Sequence, residues 1–422
     1  MEKTRGIEWP DFIHPTYREK TLNAVKADSK VYRNTFDPAE ANPGAALNVY
    51  VPRLSQNMVI VLGSLALVFD IDLTGGDANN FLVQNVTRAL VRRMHVKFGG
   101  HELQNKQGYG RYKTFGDLFL STEKRDSMVL EGIQTEDLCK IRLDSGDKKS
   151  SGVEAEKALE EVYGKKYRIR FDHEILTKNG VFYPEGLHSN LVFQITLAPA
   201  KDVVKGSDTS KLTYKLINIK LEYETIHSPS LAEEALNTYK SGKSILYEYV
   251  HYMTDATFEK DKDTHMSIKV DSQRLSLKAV VLLFEDPYTD GARDSEKFIF
   301  PDITKVKVSV KGRSNMLYDE GLQGWDLWEQ AYRFFGKEKS KPQHMDMKKF
   351  YTQDKFGLVI DMRTTRDPTM HGSGKSLMGS NEGVQLEIYR KAKGSGTMTC
   401  HVYVVSDAQF NIMGRAYMGH SN

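Results

Sequence analysis

Short segments rich in β-branched or aromatic residues, each bounded by Gly, Pro, Asn, Asp or Ser, recur along most of the chain. They include VRRMHVKFGG (91–100), KKYRIRFDHEI (165–175), LVFQITLAP (191–199), KLTYKLINIKLEYETI (211–226) and ILYEYVHYM (245–253). SLKAVVLLFEDP (276–287), TKVKVSVKG (304–312), FGLVIDMRT (356–364), GVQLEIYRK (383–391) and CHVYVVSDA (400–408) follow. Apolar residues alternate in them: Met94, Val96 and Phe98 share one face of the first, and Tyr167, Ile169 and Phe171 one face of the second. A period of two marks half-buried strands. Long helices do not alternate with the strands, which argues against a doubly wound parallel sheet. The reading is mostly antiparallel β, arranged as a sandwich or barrel.

Helical patterns are few. LQGWDLWEQAYRFFG (322–336) puts Leu322, Trp325, Trp328, Tyr332 and Phe335 on one face, with Gly336 as its stop. VEAEKALEEVYG (153–164) aligns Ala155, Leu159 and Val162. SPSLAEEALNTYKSG (228–242) has the clearest ends, Ser228-Pro229 and Gly242, and lies near mid-chain.

The chain also repeats itself once. NVTRALVRRMHVKFGG from Asn85 parallels DITKVKVSVKGR from Asp302, and Phe115-Gly116-Asp117-Leu118-Phe119 parallels Gly324-Trp325-Asp326-Leu327-Trp328. YRIRFDHE then pairs with FGLVIDMR, and LVFQITL with GVQLEIY, in the same order. One polar insertion in the first half, 134–164, reconciles the offsets. The pattern reads as a duplicated β-domain with the 229–243 helix between the copies.

The residues exclude several functions. His371-Gly372-Ser373-Gly374-Lys375-Ser376 ends like a phosphate loop, but Thr369 stands where the first Gly belongs and no helical pattern follows. It reads as a surface loop joining two strands. Asp70-Ile71-Asp72-Leu73-Thr74-Gly75 starts like a calcium loop, yet position twelve is Phe81. His251 and His265 bracket the acidic stretch TDATFEKDKDTH, which reads as a solvated hairpin tip rather than a metal site. Cys139 and Cys400 form no disulfide framework, and Cys139 has no nucleophile setting. Asn85-Val86-Thr87 reads as a strand start. Trp325 and Trp328 could stack a sugar, but beside Leu322 and Tyr332 they are expected in the core. No catalytic, cofactor-binding or metal residues are assigned, and no enzyme activity is expected. A net charge of +3 carries no excess for bulk binding of nucleic acid. The longest apolar run, Met58 to Phe69, is too short to span a bilayer as a helix. The N-terminal residues lack the apolar core of a signal peptide, so a soluble intracellular product is expected.

FLVQNVTRALVRRMHVKFGGHELQ (81–104) with FGDLFLSTEKRDSMVLEGI (115–133) resembles the major capsid protein of Polinton-like elements and adintoviruses. ITKVKVSVKGRSNMLYDEGLQGWDLWEQAYRFF (303–335) and CHVYVVSDAQFNIMGR (400–415) are similar to the same family, so the likeness covers most of residues 55–415. It implies two tandem eight-stranded antiparallel jelly rolls, a double jelly roll with a few short helices in its loops. The expected division is an N-terminal arm (1–45), a first jelly roll (46–228), a linker helix (229–243) and a second jelly roll (244–422). The arm is expected to order only on assembly. The resemblance further implies a homotrimeric, pseudo-hexagonal capsomer tiling an icosahedral virion made in a eukaryotic host cell. A separate single jelly-roll penton protein and minor capsid proteins would be its partners, and the packaging ATPase and maturation protease separate products. The 134–164 insertion and the 367–382 loop are candidates for an outer tower. The alternative from the residues alone is a carbohydrate-binding or carbohydrate-active β-sandwich.

Overall fold

The computed structural model describes residues 28–74, 80–133, 166–177, 181–206, 212–271, 273–314, 320–336, 344–363, 374–379 and 383–421. The insertion 134–164 with its helical pattern, Cys139, and most of the 367–382 loop lie outside the described residues.

Sixteen strands carry the architecture. The first eight are β1 (Asp28–Thr35), β2 (Ala46–Tyr50), β3 (Ala66–Thr74), β4 (Val91–Phe98), β5 (His101–Gln107), β6 (Lys166–Arg170), β7 (Leu191–Leu197) and β8 (Thr213–His227). The second eight are β9 (Lys243–Glu259), β10 (His265–Val270), β11 (Leu277–Glu285), β12 (Ile303–Val310), β13 (Arg313–Ser314), β14 (Gly357–Asp361), β15 (Val384–Arg390) and β16 (Thr397–Met413). In the first lobe one sheet has the order β2-β7-β4-β5, and the facing sheet contains β6-β3-β8 with β1 on the other edge of β8. In the second lobe the orders are β10-β15-β12-β13 and β14-β11-β16-β9. Each strand of the first lobe therefore has a counterpart eight places later, in the same sheet and beside the same neighbours. All these pairings are antiparallel.

The alternation read from sequence explains the layers. Tyr167, Ile169 and Phe171 are buried, as are Met94, Val96 and Phe98, while Lys166 and Arg170 face out. β11 has no such alternation, because eight of its nine residues are buried. It lies between β14 and β16 with both faces covered, and a continuous apolar run results.

The longer helices are α1 (Tyr109–Asp117), α2 (Pro229–Ser241), α3 (Trp325–Phe335) and α4 (Met347–Thr352). α2 joins the lobes. Ser228 caps it by accepting from Leu231 N at 3.4 Å, Pro229 opens it, and Gly242, at φ 106°, closes it. α1 and α3 occupy equivalent connections, between the fifth and sixth strands of each lobe.

Two readings shift. Residues 28–45, expected in an N-terminal arm, include β1, which pairs with β8 from Asp28↔His227 to Thr35↔Lys220, and Phe36 and Ala41, which enter the first core. The sequence signal is weak because β1 is solvent-exposed along most of its length; Val31 is 66% exposed. The match between Asn85 and Asp302 is also local only. Both have left-handed backbones, but Val86–Leu90 forms a helical turn before β4, whereas β12 starts at once.

Candidate functional site: one block made from two lobes

The two lobes share their cores. β9 and β16, each seventeen residues long, pair from Lys243↔Ile412 to Glu259↔Thr397. Strands of that length reach roughly 55 Å, enough to run past two layers. Their first-lobe ends put Ile245, Tyr247, Tyr249, Ala408, Phe410 and Ile412 into the first core. In return, α1 and the turn after it send Tyr112, Phe115, Leu118 and Phe119 into the second. Phe115 makes edge contacts with Phe298 (5.5 Å) and Phe335 (5.3 Å), and Phe119 stacks on Trp328 at 5.9 Å. The aromatic-Asp-Leu-aromatic motifs that recur in the two halves are thus packed against one another.

Polar groups along the seam are paired across it. Tyr247 Oη donates to Leu103 O (2.7 Å) and Tyr403 Oη to Gly108 O (3.0 Å). Arg111 Nε meets Glu285 at 2.8 Å, Arg125 Nη2 meets Glu296 at 2.8 Å, and Arg293 donates to Asp202 O at 2.7 Å. Burial raises the Glu285 carboxyl, but the Arg111 guanidinium, His401 and Arg293 together outweigh it and hold it well below the usual carboxylate range. Buried charges that each have a partner specify one arrangement of the lobes and penalise any other.

No protein-family profile and no curated protein matches the sequence at a significant level. Solved structures do match the fold. The PBCV-1 virus capsid, as a quasi-atomic model, superposes with a TM-score of 0.62 at 10% identity, over 93% of this chain and 96% of that one. The Sputnik virophage structure from cryo-EM gives 0.55 at 10% identity, over 95% and 90%. The Faustovirus major capsid protein gives 0.53 at 8% identity, over 93% and 91%. The fold is a double jelly roll. At such low identity the likeness establishes architecture, and it covers both lobes.

Most of the described residues singled out in the sequence have defined places in the double jelly roll. Gly374 and Lys375 lie against the start of β11: Leu277 and Lys375 exchange backbone bonds of 2.8 and 2.9 Å, and Gly374 N donates to Ser276 Oγ at 2.9 Å. Residues 376–379 form no helix, so the segment lacks the helix N-terminus of a phosphate loop. Asp70 and Asp72 are within β3, and Asp70 accepts from Asn218 at 2.9 Å. His251 lies within β9, and His265 opens β10 with its Nε2 on Glu387. Cys400 is fully buried, which pushes its thiol up. No group of three His, Cys, Asp or Glu suited to a metal occurs among the described residues. No helix among them is long and apolar enough to cross a membrane.

The expectation that Trp325 and Trp328 are both buried is corrected. α3 begins at Trp325, one turn later than the pattern suggested, and its buried face is Leu327, Ala331 and Phe334. Trp325 is 60% exposed, while Trp328 packs on Phe119 and Phe350. One free indole beside one engaged indole is not a two-ring platform for a sugar. What sequence reasoning missed is the seam itself, whose only signal was the recurring aromatic motif.

Proposed function

We propose that the chain is a major capsid protein of the Polinton and adintovirus kind, acting by self-association rather than catalysis. Three copies form a pseudo-hexagonal capsomer, and capsomers tile an icosahedral virion shell. The observation that carries this reading is the repetition of one strand order in two lobes with shared cores. Each chain then supplies two like-shaped bricks in a fixed relation, and a closed threefold ring presents six. Support comes from the full-length likeness to the PBCV-1 capsid and the Faustovirus major capsid protein, and from the sequence stretches that resemble the Polinton and adintovirus family. In this reading a single jelly-roll penton protein closes the vertices, minor capsid proteins join the shell, and the subunit is made in the soluble phase of a eukaryotic host cell. The chain divides at α2 into its two jelly rolls.

Size-exclusion chromatography with light scattering tests the oligomer. The expected mass is that of three chains. A strict monomer at high protein concentration and at every salt concentration contradicts the reading.

A further inference from the structure

A cleft of about 470 Å³ opens where the seam reaches the surface. Both lobes build it. The first contributes Arg92 and Arg93 from β4 and Arg111 from α1; the second contributes Tyr252 and Asp255 from β9, Arg293, and His401 from β16. Four guanidiniums share a space far larger than one water-filled gap.

The four are not equivalent. Arg111 and Arg293 are held from behind, by Glu285 and by the Asp202 carbonyl. Arg93 uses Nε toward Asn105 Oδ1 at 2.7 Å. The Arg92 side chain is exposed and has no hydrogen bond or ion pair among the described residues. Two carboxylates also line the cleft. Asp202 is occupied by Tyr288 Oη at 2.6 Å and lies 4.0 Å from Arg293, whereas Asp255 is exposed. His401 is turned to Tyr252 Oη (3.1 Å) and Glu285 (3.4 Å). The positive charge therefore exceeds what the cleft's own acids neutralise, and Arg111 and Arg293 are fixed in place by their partners.

We propose that this cleft binds a multiply charged oxyanion, which bridges Arg92 and Arg93 of the first lobe to Arg293 of the second. Planar guanidiniums match carboxylate and phosphate oxygens in pairs, and Arg93 and Arg293, already held by Asn105 and Asp202, lose little entropy on binding. The volume suits an oligophosphate or a short run of carboxylates better than a single inorganic ion. All the residues that line the site come from one chain.

Calorimetric titration of the full-length protein at fixed ionic strength tests this, with inorganic tripolyphosphate in one arm and citrate in the other. At least one of them binds the native protein, and the tighter of the two tells whether phosphate or carboxylate is the natural group. R92A/R93A weakens that binding by about tenfold or more, in line with losing two charge-assisted contacts. D255N tightens it, an effect that a purely structural role for the arginines does not produce. R92E, changed at an exposed position, gives the same loss as the double variant should the latter fold poorly. Failure of both anions to bind, or binding that R92A/R93A and R92E leave unchanged, overturns the proposal.

Discussion

Phe115, on α1 of the first lobe, stands directly against Gly357, the first residue of β14 in the second. A Cβ at Gly357 would lie 2.4 Å from Phe115 Cζ. The ring is fully buried among Phe119, Phe298 and Phe335. F115A is expected to cost about 3–5 kcal/mol through the cavity it leaves. Because that cavity lies between lobes, calorimetric unfolding should split from one transition into two. G357A should cost about 1–3 kcal/mol by overpacking the same contact. Wild-type stability in both variants contradicts this account of the seam.

The Arg125–Glu296 pair crosses the same seam. Both side chains are buried, Arg125 also donates to Asp117 O at 3.0 Å, and the Lys355 ammonium lies 3.9 Å from Glu296. R125A leaves the Glu296 carboxylate in a dry site and should cost about 3–5 kcal/mol in urea unfolding. R125M/E296M removes both charges and should fall within about 1 kcal/mol of wild type. If the double variant is no better than R125A, the pair is not the reason for the loss.

Lys106, on β5, is 9% exposed and has the rings of Tyr109 and Tyr112 at 5.8 and 6.0 Å. Burial pushes its ammonium down to about 8, and Lys113 adds to the effect. An unfolded lysine titrates near 10.4. Folding at neutral pH therefore confines a charge that the site disfavours, and this penalty fades as pH rises from about 8 to about 10.5. K106M should be more stable than wild type by about 2 kcal/mol at pH 7, with the gap closing by pH 10. Urea unfolding at both pH values checks it; an equal gap at the two, or a less stable variant, contradicts the assignment.

The strands were legible because one face is wet and the other dry: Tyr167, Ile169 and Phe171 alternate with exposed or half-buried residues and all three are buried. α2 was legible from its ends, since Ser228, Pro229 and Gly242 each do there what their backbone chemistry favours. β1 was not, because an edge strand exposed at most of its positions needs no apolar pattern. Nor was the exchange of core residues between lobes. The alternation in β9 says that Tyr247 is buried, but not that it is buried under the first lobe rather than the second. Trp325 misled because a helical wheel assumes the helix has already begun, whereas α3 starts at Trp325 and turns Leu327, Ala331 and Phe334 inward.

The loop at Gly374-Lys375 separates backbone fit from side-chain chemistry. A Cβ on Gly374 would lie 2.3 Å from Leu277 O, so G374A must displace backbone and should cost about 1–3 kcal/mol. Lys375 contributes its backbone to the same bridge, and K375A should stay within about 0.5 kcal/mol of wild type. Thermal unfolding of the two variants gives the comparison. A phosphate-loop role would invert it, with ATP turnover lost in K375A.

In the proposed assembly three two-lobed chains make one building unit. Negative-stain electron microscopy of the purified protein, with particle masses measured in the same sample, tests it most directly. The expected particle is about 144 kDa, three chains of 48.0 kDa, with a six-lobed outline. Particles that remain at 48.0 kDa at every concentration, or a ring whose outline does not show six lobes, contradict it.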